Sequence, residues 1–164
     1  MIDWYCKVLG MQVVMRNPVI NFLTWDDSQD RLAILNDPDA QPRPAGSAGL
    51  DHVAFSLASL RDLTANYRRL KAEKILPYRC MNHGVATSMY YRDPDGNQIE
   101  LTVANFDDVD TMNAWLAGGD FDENPIGVPL NADELLARVE SGTPEHELRR
   151  PHPEHREWLR RNKR

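Results

Sequence analysis

His52 and Glu100 are the residues whose types and placement point most directly to chemistry. Leu50–Leu57 alternates in the manner of a strand. Val53, Phe55 and Leu57 share one parity and are expected in the core, so His52 is expected on the opposite face. Asn97–Val103 repeats the pattern: Ile99, Leu101 and Val103 are assigned to the core and Glu100 to the other face. An imidazole and a carboxylate offered by rigid strands are two parts of the 2-His-1-carboxylate triad that holds Fe(II). The third part is not evident in the sequence.

The elements around these strands follow from periodicity. Met1–Gly10 reads as a helix, with Ile2, Tyr5, Cys6 and Leu9 at helical spacing and Gly10 as its C-terminal cap. Met11–Arg16, Val19–Trp25 and Arg31–Leu35 read as strands, and Asp37–Ser47, rich in Pro, Gly and Ala, as a linker. After the strand at Leu50–Leu57, Ser59 and Asp62 form a capping pair for a helix whose apolar stripe is Leu60, Leu63, Tyr67 and Leu70. Pro77–Met81 and Thr87–Arg92 read as strands, and Asp93–Gly96 as a tight turn before the strand at Asn97–Val103. Helices are expected over Asp107–Ala117 and from an Asn131 cap through Glu140, with a loop over Gly118–Pro129. One further turn is expected in Thr143–Leu148 and a short, poorly packed helix in Pro151–Arg164.

The expected class is α+β, with an αβββ half followed by a βαβββ half. A shift of 67 residues lays Leu32–Leu35 on Ile99–Thr102 and sets Ala33 where Glu100 sits. The first half therefore supplies no matching carboxylate. The equivalent of His52 would precede Met1, so the first strand of the first module is expected to be missing. The resulting division is a truncated module with linker (1–47), a second module carrying the site residues (48–104) and a helical C-terminal extension (105–164).

Composition excludes some classes. The chain has 164 residues, 41% hydrophobic and 27% charged, as in an ordinary globular domain. A net charge of −6 argues against general nucleic-acid binding. No apolar run approaches the roughly 20 residues of a membrane helix. No basic region followed by an apolar core opens the chain, and Cys6 and Cys80 are expected as reduced core residues of a cytoplasmic protein. His146, His152, His155 and the arginines near the C-terminus are expected as a solvated tail.

The paired modules and three segments carry a family resemblance. Asp-Trp-Tyr-Cys-Lys-Val-Leu-Gly-Met-Gln-Val (3–13), Leu-Asp-His-Val-Ala-Phe (50–55) and Asn-His-Gly-Val-Ala-Thr-Ser-Met-Tyr-Tyr-Arg-Asp-Pro-Asp-Gly-Asn-Gln-Ile-Glu-Leu (82–101) resemble the vicinal oxygen chelate superfamily. That group includes glyoxalase I, bleomycin-resistance proteins and type I extradiol dioxygenases. The resemblance implies paired βαβββ modules curled into a cup with a metal on the concave face. It assigns His52 and Glu100 as metal ligands, Tyr90 beside the substrate and His83 as an acid–base group. The ligating His of the first module belongs to its missing first strand.

Ala33 favours the dioxygenase branch, since glyoxalase-type sites need a carboxylate from each module. The implied activity is ring cleavage of a small aromatic vicinal diol with O2. The implied metal is Fe(II), with Mn(II) or another divalent ion as the alternative, and a homodimer is expected. One departure stands out: Ser28-Gln29-Asp30-Arg31 has no His where extradiol enzymes carry their acid–base His. A non-catalytic binding protein of the bleomycin-resistance kind is the second expectation. A glyoxalase-type isomerase or lyase is the third.

Overall fold

A first helix, α1 (Ile2–Leu9), buries Tyr5 and Val8 and closes on Gly10, whose φ of 68° is the left-handed conformation that glycine adopts cheaply. In this computed structural model residues 1–44 and 46–162 are described; Ala45 of the linker and Lys163 and Arg164 of the tail lie outside the described residues. The chain divides into two units, Met1–His52 with Arg92–Gln98, and Val53–Tyr91 with Ile99–Arg164. The class is α+β.

In the first unit, β1 (Gln12–Arg16), β2 (Ile20–Thr24) and β3 (Leu32–Leu35) form an antiparallel sheet in that order. The register slips between Val13 and Met15, a β-bulge at Val14. Asp93 is buried and gathers the turn that follows it. Its Oδ1 accepts from the backbone N–H groups of Asp95 (3.0 Å) and Asn97 (2.8 Å), and its Oδ2 accepts from the Tyr5 hydroxyl (2.9 Å) and the Asn97 side chain (2.9 Å). Gly96, at φ 85°, lets that turn close. The sequence marks this segment only as a turn; the structure makes it the anchor of α1.

A second sheet runs in the order β4 (His52–Ser56), β7 (Gln98–Ala104), β6 (Ala86–Arg92), β5 (Arg79–Asn82), β8 (Val128–Pro129). Val53, expected in the core, departs from expectation: it is 39% exposed, on β4 at the end of the sheet order. In β7 the expectation holds for Ile99, Leu101 and Val103, all buried. The sheet is covered by α2 (Leu60–Ala72), which buries the stripe Leu60, Leu63, Tyr67 and Leu70. Ser59 Oγ accepts from the Asp62 N–H at its start, and Glu145 Oε1 accepts from the Leu60 N–H (2.9 Å), so a side chain from the extension helps cap this helix.

The extension forms helices where they are expected and adds a further short helix and β8. It contains α3 (Val109–Ala117), α4 (Asp120–Glu123), α5 (Ala132–Glu140), α6 (Glu145–Leu148) and α7 (His155–Asn162). Gly118–Pro129, expected as a loop, holds α4 and contributes β8, which pairs with β5 through Met81↔Pro129 and Asn82↔Val128. Helix α5 meets α2 through Asp133, which accepts from Tyr67 (2.9 Å) and Lys71 (2.6 Å). Among the described residues, no helix is long and apolar enough to cross a membrane.

Replacing Tyr5 by Phe removes a donor from a buried carboxylate, and such bonds are worth about 1.5–3 kcal/mol. Urea unfolding of Tyr5→Phe is expected to show a loss of that size. An unchanged midpoint would mean that Asp93 does not depend on this donor.

Candidate functional site

The strands β6 and β7 flank the Asp93–Gly96 turn, so their side chains meet across the sheet in antiparallel pairs. Ser88 Oγ lies 2.9 Å from Thr102 Oγ1, and the Tyr90 hydroxyl donates to Glu100 Oε1 at 2.9 Å. Ser88, Tyr90, Glu100 and Thr102 therefore share one face. Met89 and Tyr91 take the other face, where Tyr91 is fully buried. Tyr90 and Glu100 are both buried.

His83, in the turn after β5, extends this pair into a chain. Its Nε2 lies 2.9 Å from the Tyr90 hydroxyl oxygen and its Nδ1 lies 2.8 Å from the Ile126 carbonyl oxygen. A carbonyl only accepts, so Nδ1 must carry a hydrogen. A neutral His83 then presents a lone pair at Nε2 to a hydroxyl that already donates to Glu100. One hydroxyl hydrogen faces two acceptors. A second proton, placed on Nε2, would let His83 donate to Tyr90 while Tyr90 donates to Glu100. With His83 neutral, the chain is one proton short of satisfying every partner.

The electrostatics set the resting state. Burial lowers the His83 pKa, and the Arg79 and His155 charges lower it further. The Ile126 carbonyl and the Glu100 charge pull it up without cancelling the fall. His83 is thus neutral at pH 7 and able to take a proton. The Tyr90 hydroxyl is pushed up, first by burial and then by the charge and hydrogen bond of Glu100, so it stays protonated. The Arg79 guanidinium stacks 4.1 Å from the Tyr90 ring centroid, and Tyr78 packs at 6.3 Å.

A buried amide network positions the His83 turn. Asn105 Nδ2 donates to the Gly84 carbonyl (2.9 Å) and Asn82 Oδ1 (3.3 Å), Thr87 donates to Asn105 Oδ1 (2.8 Å), and Asn82 Oδ1 accepts from the Gly84 N–H (2.8 Å). Asn124, fully buried, holds the neighbouring loop through Gly127 N–H and C=O. Gly127, at φ 87°, passes so close that a Cβ there would lie 2.4 Å from the Asn82 carbonyl oxygen. That approach brings the Ile126 carbonyl onto His83.

His52 stands at the start of β4, half-buried, with Nδ1 2.7 Å from Asp51 Oδ2. A carboxylate on one nitrogen sets the ring so that the other can serve a metal. Ala33 lies on β3 and offers no donor. Asp30 and Ser28 stay at the polar turn, where Arg31 instead pairs with Asp26. Among the described residues, no group of three His, Cys, Asp or Glu side chains could hold a metal. An imidazole and a carboxylate suit a divalent first-row ion, but a three-ligand site is not complete within the described residues. Two contributors escape sequence reasoning. Arg79 could have been found from the β5–β6 register, which sets it opposite Tyr90; the Ile126 carbonyl carries no sequence signal.

Known proteins resemble this chain. The family described as the Glyoxalase/Bleomycin resistance protein/Dioxygenase superfamily matches residues 1–101. The chain is similar to biphenyl-2,3-diol 1,2-dioxygenase 2 of Rhodococcus globerulus, 40% identical over 143 residues, covering 87% of this chain and 75% of that protein. It is similar to biphenyl-2,3-diol 1,2-dioxygenase 3 of the same organism, 38% identical over 150 residues, covering 90% and 79%. It also resembles catechol-2,3-dioxygenase of Bacillus subtilis (strain 168), 33% identical over 101 residues, covering 61% and 35%.

The proton shortage has a spectroscopic consequence. Protonated His83 needs the Tyr90 oxygen as acceptor, so Tyr90→Phe should lower the His83 pKa further. Nitrogen-15 NMR of the ring should show wild-type His83 neutral at pH 7 and titrating below the ordinary 6.5, with the variant titrating lower still. An unchanged titration would remove Tyr90 from the relay.

Proposed function

The chain belongs to the Glyoxalase/Bleomycin resistance protein/Dioxygenase superfamily, and from that premise we propose that it is an extradiol-type dioxygenase. Its substrates are O2 and a small aromatic vicinal diol, with biphenyl-2,3-diol as the first compound to try, given the names of its relatives. The observation that carries the reading is the His83–Tyr90–Glu100 hydrogen-bonded chain. A diol must lose a hydroxyl proton before its ring can be opened, and this chain holds a neutral imidazole one hydrogen bond from a buried tyrosine.

In this reading His52 and Glu100 are metal ligands. A bound divalent metal supplies Lewis-acid polarisation of the diol oxygens and electron transfer toward O2. Fe(II) is the proposed ion, with Mn(II) as its substitute. The protein's own part is proton handling and placement. Tyr90 relays the proton: its hydroxyl hydrogen passes to His83 Nε2 as its oxygen takes the proton released by the diol, and Nδ1 stays on the Ile126 carbonyl. His83 then returns that proton to the ring-opened product, so the group is regenerated. Arg79 and Tyr78 hold the Tyr90 ring in place. The Cys80 thiol is pushed up to about 11 by burial and takes no part. The proposal includes a homodimer, and the unpaired Cys6 and Cys80 fit the reducing, cytoplasmic setting it assumes.

A second reading is a binding protein that sequesters an aromatic ligand without turnover. The lack of a three-donor cluster among the described residues favours it.

One experiment separates the two. Protein loaded anaerobically with Fe(II) or Mn(II) is mixed with biphenyl-2,3-diol or catechol, and O2 consumption is followed. The dioxygenase reading expects uptake with a coloured ring-opened product. It expects Glu100→Gln to lose both metal and activity, and Tyr90→Phe to lose about 10–100-fold in activity, as changes just outside a ligand set typically do. Diol binding that survives chelator, without O2 uptake under either metal, would overturn it in favour of sequestration.

A further inference from the structure

His155, expected as a solvated tail residue, is the least exposed histidine of the chain, at 3%. It is the first residue of α7, and neither of its ring nitrogens has a hydrogen-bond partner among the described residues. A buried polar atom without a partner is costly, and a buried charge without one far more so. The ring packs edge-on to Trp115, with centroids 5.3 Å apart. Both rings press on Gly84: a Cβ there would lie 3.0 Å from His155 Cε1 and 2.2 Å from Trp115 Cη2. Gly84 adjoins His83. The extension thus seats an imidazole against the turn that carries the proposed acid–base group.

We propose that His155 is a proton-sensitive latch. Neutral, its ring holds the start of α7 on Gly84 and keeps the His83 turn in place; protonated, it leaves this seat and α7 comes away from the turn. His155 is therefore a positioning residue acting through His83. That consequence rests on the reading of His83 given above, whereas the latch itself does not.

The surroundings offer the charged ring little. The His83 turn brings another imidazole, whose charge and that of His155 disfavour each other. His152, one turn earlier on the same segment, acts in the same sense. From α3 comes Trp115, and β8 brings no ionisable group. On α4, Asp120 and Glu123 are engaged by Arg156 and Arg160 of α7 itself. Asn124 Nδ2 donates to the His155 carbonyl (2.8 Å), which ties down the backbone and not the ring. Burial lowers the His155 pKa, opposed by the Asn124 backbone, which stops short of a hydrogen bond to the ring, and reinforced by His152. The sign follows. The docked form binds a proton less readily than the released form, whose pKa is near the ordinary 6.5. Docking is complete above that value and weakens below it, by up to about tenfold per pH unit in the docked-to-released ratio.

The test uses the full chain, hydrogen exchange of residues 155–162 and ring NMR of His155 between pH 8 and 5. After correction for intrinsic exchange, wild-type α7 should lose about tenfold protection per pH unit once the released form titrates. His155→Phe, which keeps a ring but cannot be charged, should hold its protection flat, and His152→Asn, which removes only a neighbouring charge, should keep the pH-dependent loss. Flat protection in the wild type, or the same loss in His155→Phe, would overturn the latch. Should His155→Phe not dock at all, the wild-type ring decides. Titration near 6.5 while α7 stays protected overturns the proposal; a ring that stays neutral until α7 opens supports it. None of these readouts requires turnover, so failure of the dioxygenase reading would leave the latch test intact.

Discussion

An imidazole has two nitrogens, and those of His83 are occupied by groups of opposite habit. The Ile126 carbonyl on Nδ1 can only accept, and the Tyr90 hydroxyl at Nε2 already gives its hydrogen to Glu100. This fixes the tautomer of His83 and leaves a single lone pair facing inward. Much of the second unit serves that arrangement. The strands β6 and β7 bring Tyr90 and Glu100 together. The Asn82–Asn105–Thr87 network shapes the turn, and the close passage at Gly127 delivers the carbonyl.

The C-terminal extension changes the meaning of the core. Without β8 and the Asn124 loop, His83 would lose the partner that sets its tautomer, and without Glu145 the start of α2 would lose a cap. Trp115 and His155 then close over Gly84. The extension is therefore a backing layer for the site and not a detachable appendage, which explains how a polar, arginine-rich segment comes to bury a histidine. Its arginines find acidic partners: Arg149 with Asp107 and Glu145, Arg160 with Glu123, and Arg161 with Glu157.

Local patterning made part of this legible. Alternation in Asn97–Val103 separates Glu100 from Ile99, Leu101 and Val103, whereas the face that Tyr90 takes is settled only by its hydrogen bond to Glu100. The α2 stripe and its Ser59 cap were equally plain, because they are local. What escaped was long-range. A backbone carbonyl at Ile126 has no residue signature, and β8 is too short to show a period. His155 lies among charged residues, so its neighbours argue for solvent; only the docking of α7 on Gly84 buries it. Val53 failed for the complementary reason: alternation says which residues share a face, not whether anything covers it.

The proposed activity depends on His83 receiving the proton a diol gives up, with Tyr90 beside it. Anaerobic binding of 4-nitrocatechol to the metal-loaded protein tests this, since its colour reports ionisation and an indicator dye reports protons reaching solution. Near pH 7.5, wild type should bind the ionised ligand while releasing fewer protons than His83→Gln, the difference being the proton kept on His83. Equal release by the two proteins, with equal ionisation of the bound ligand, would contradict it.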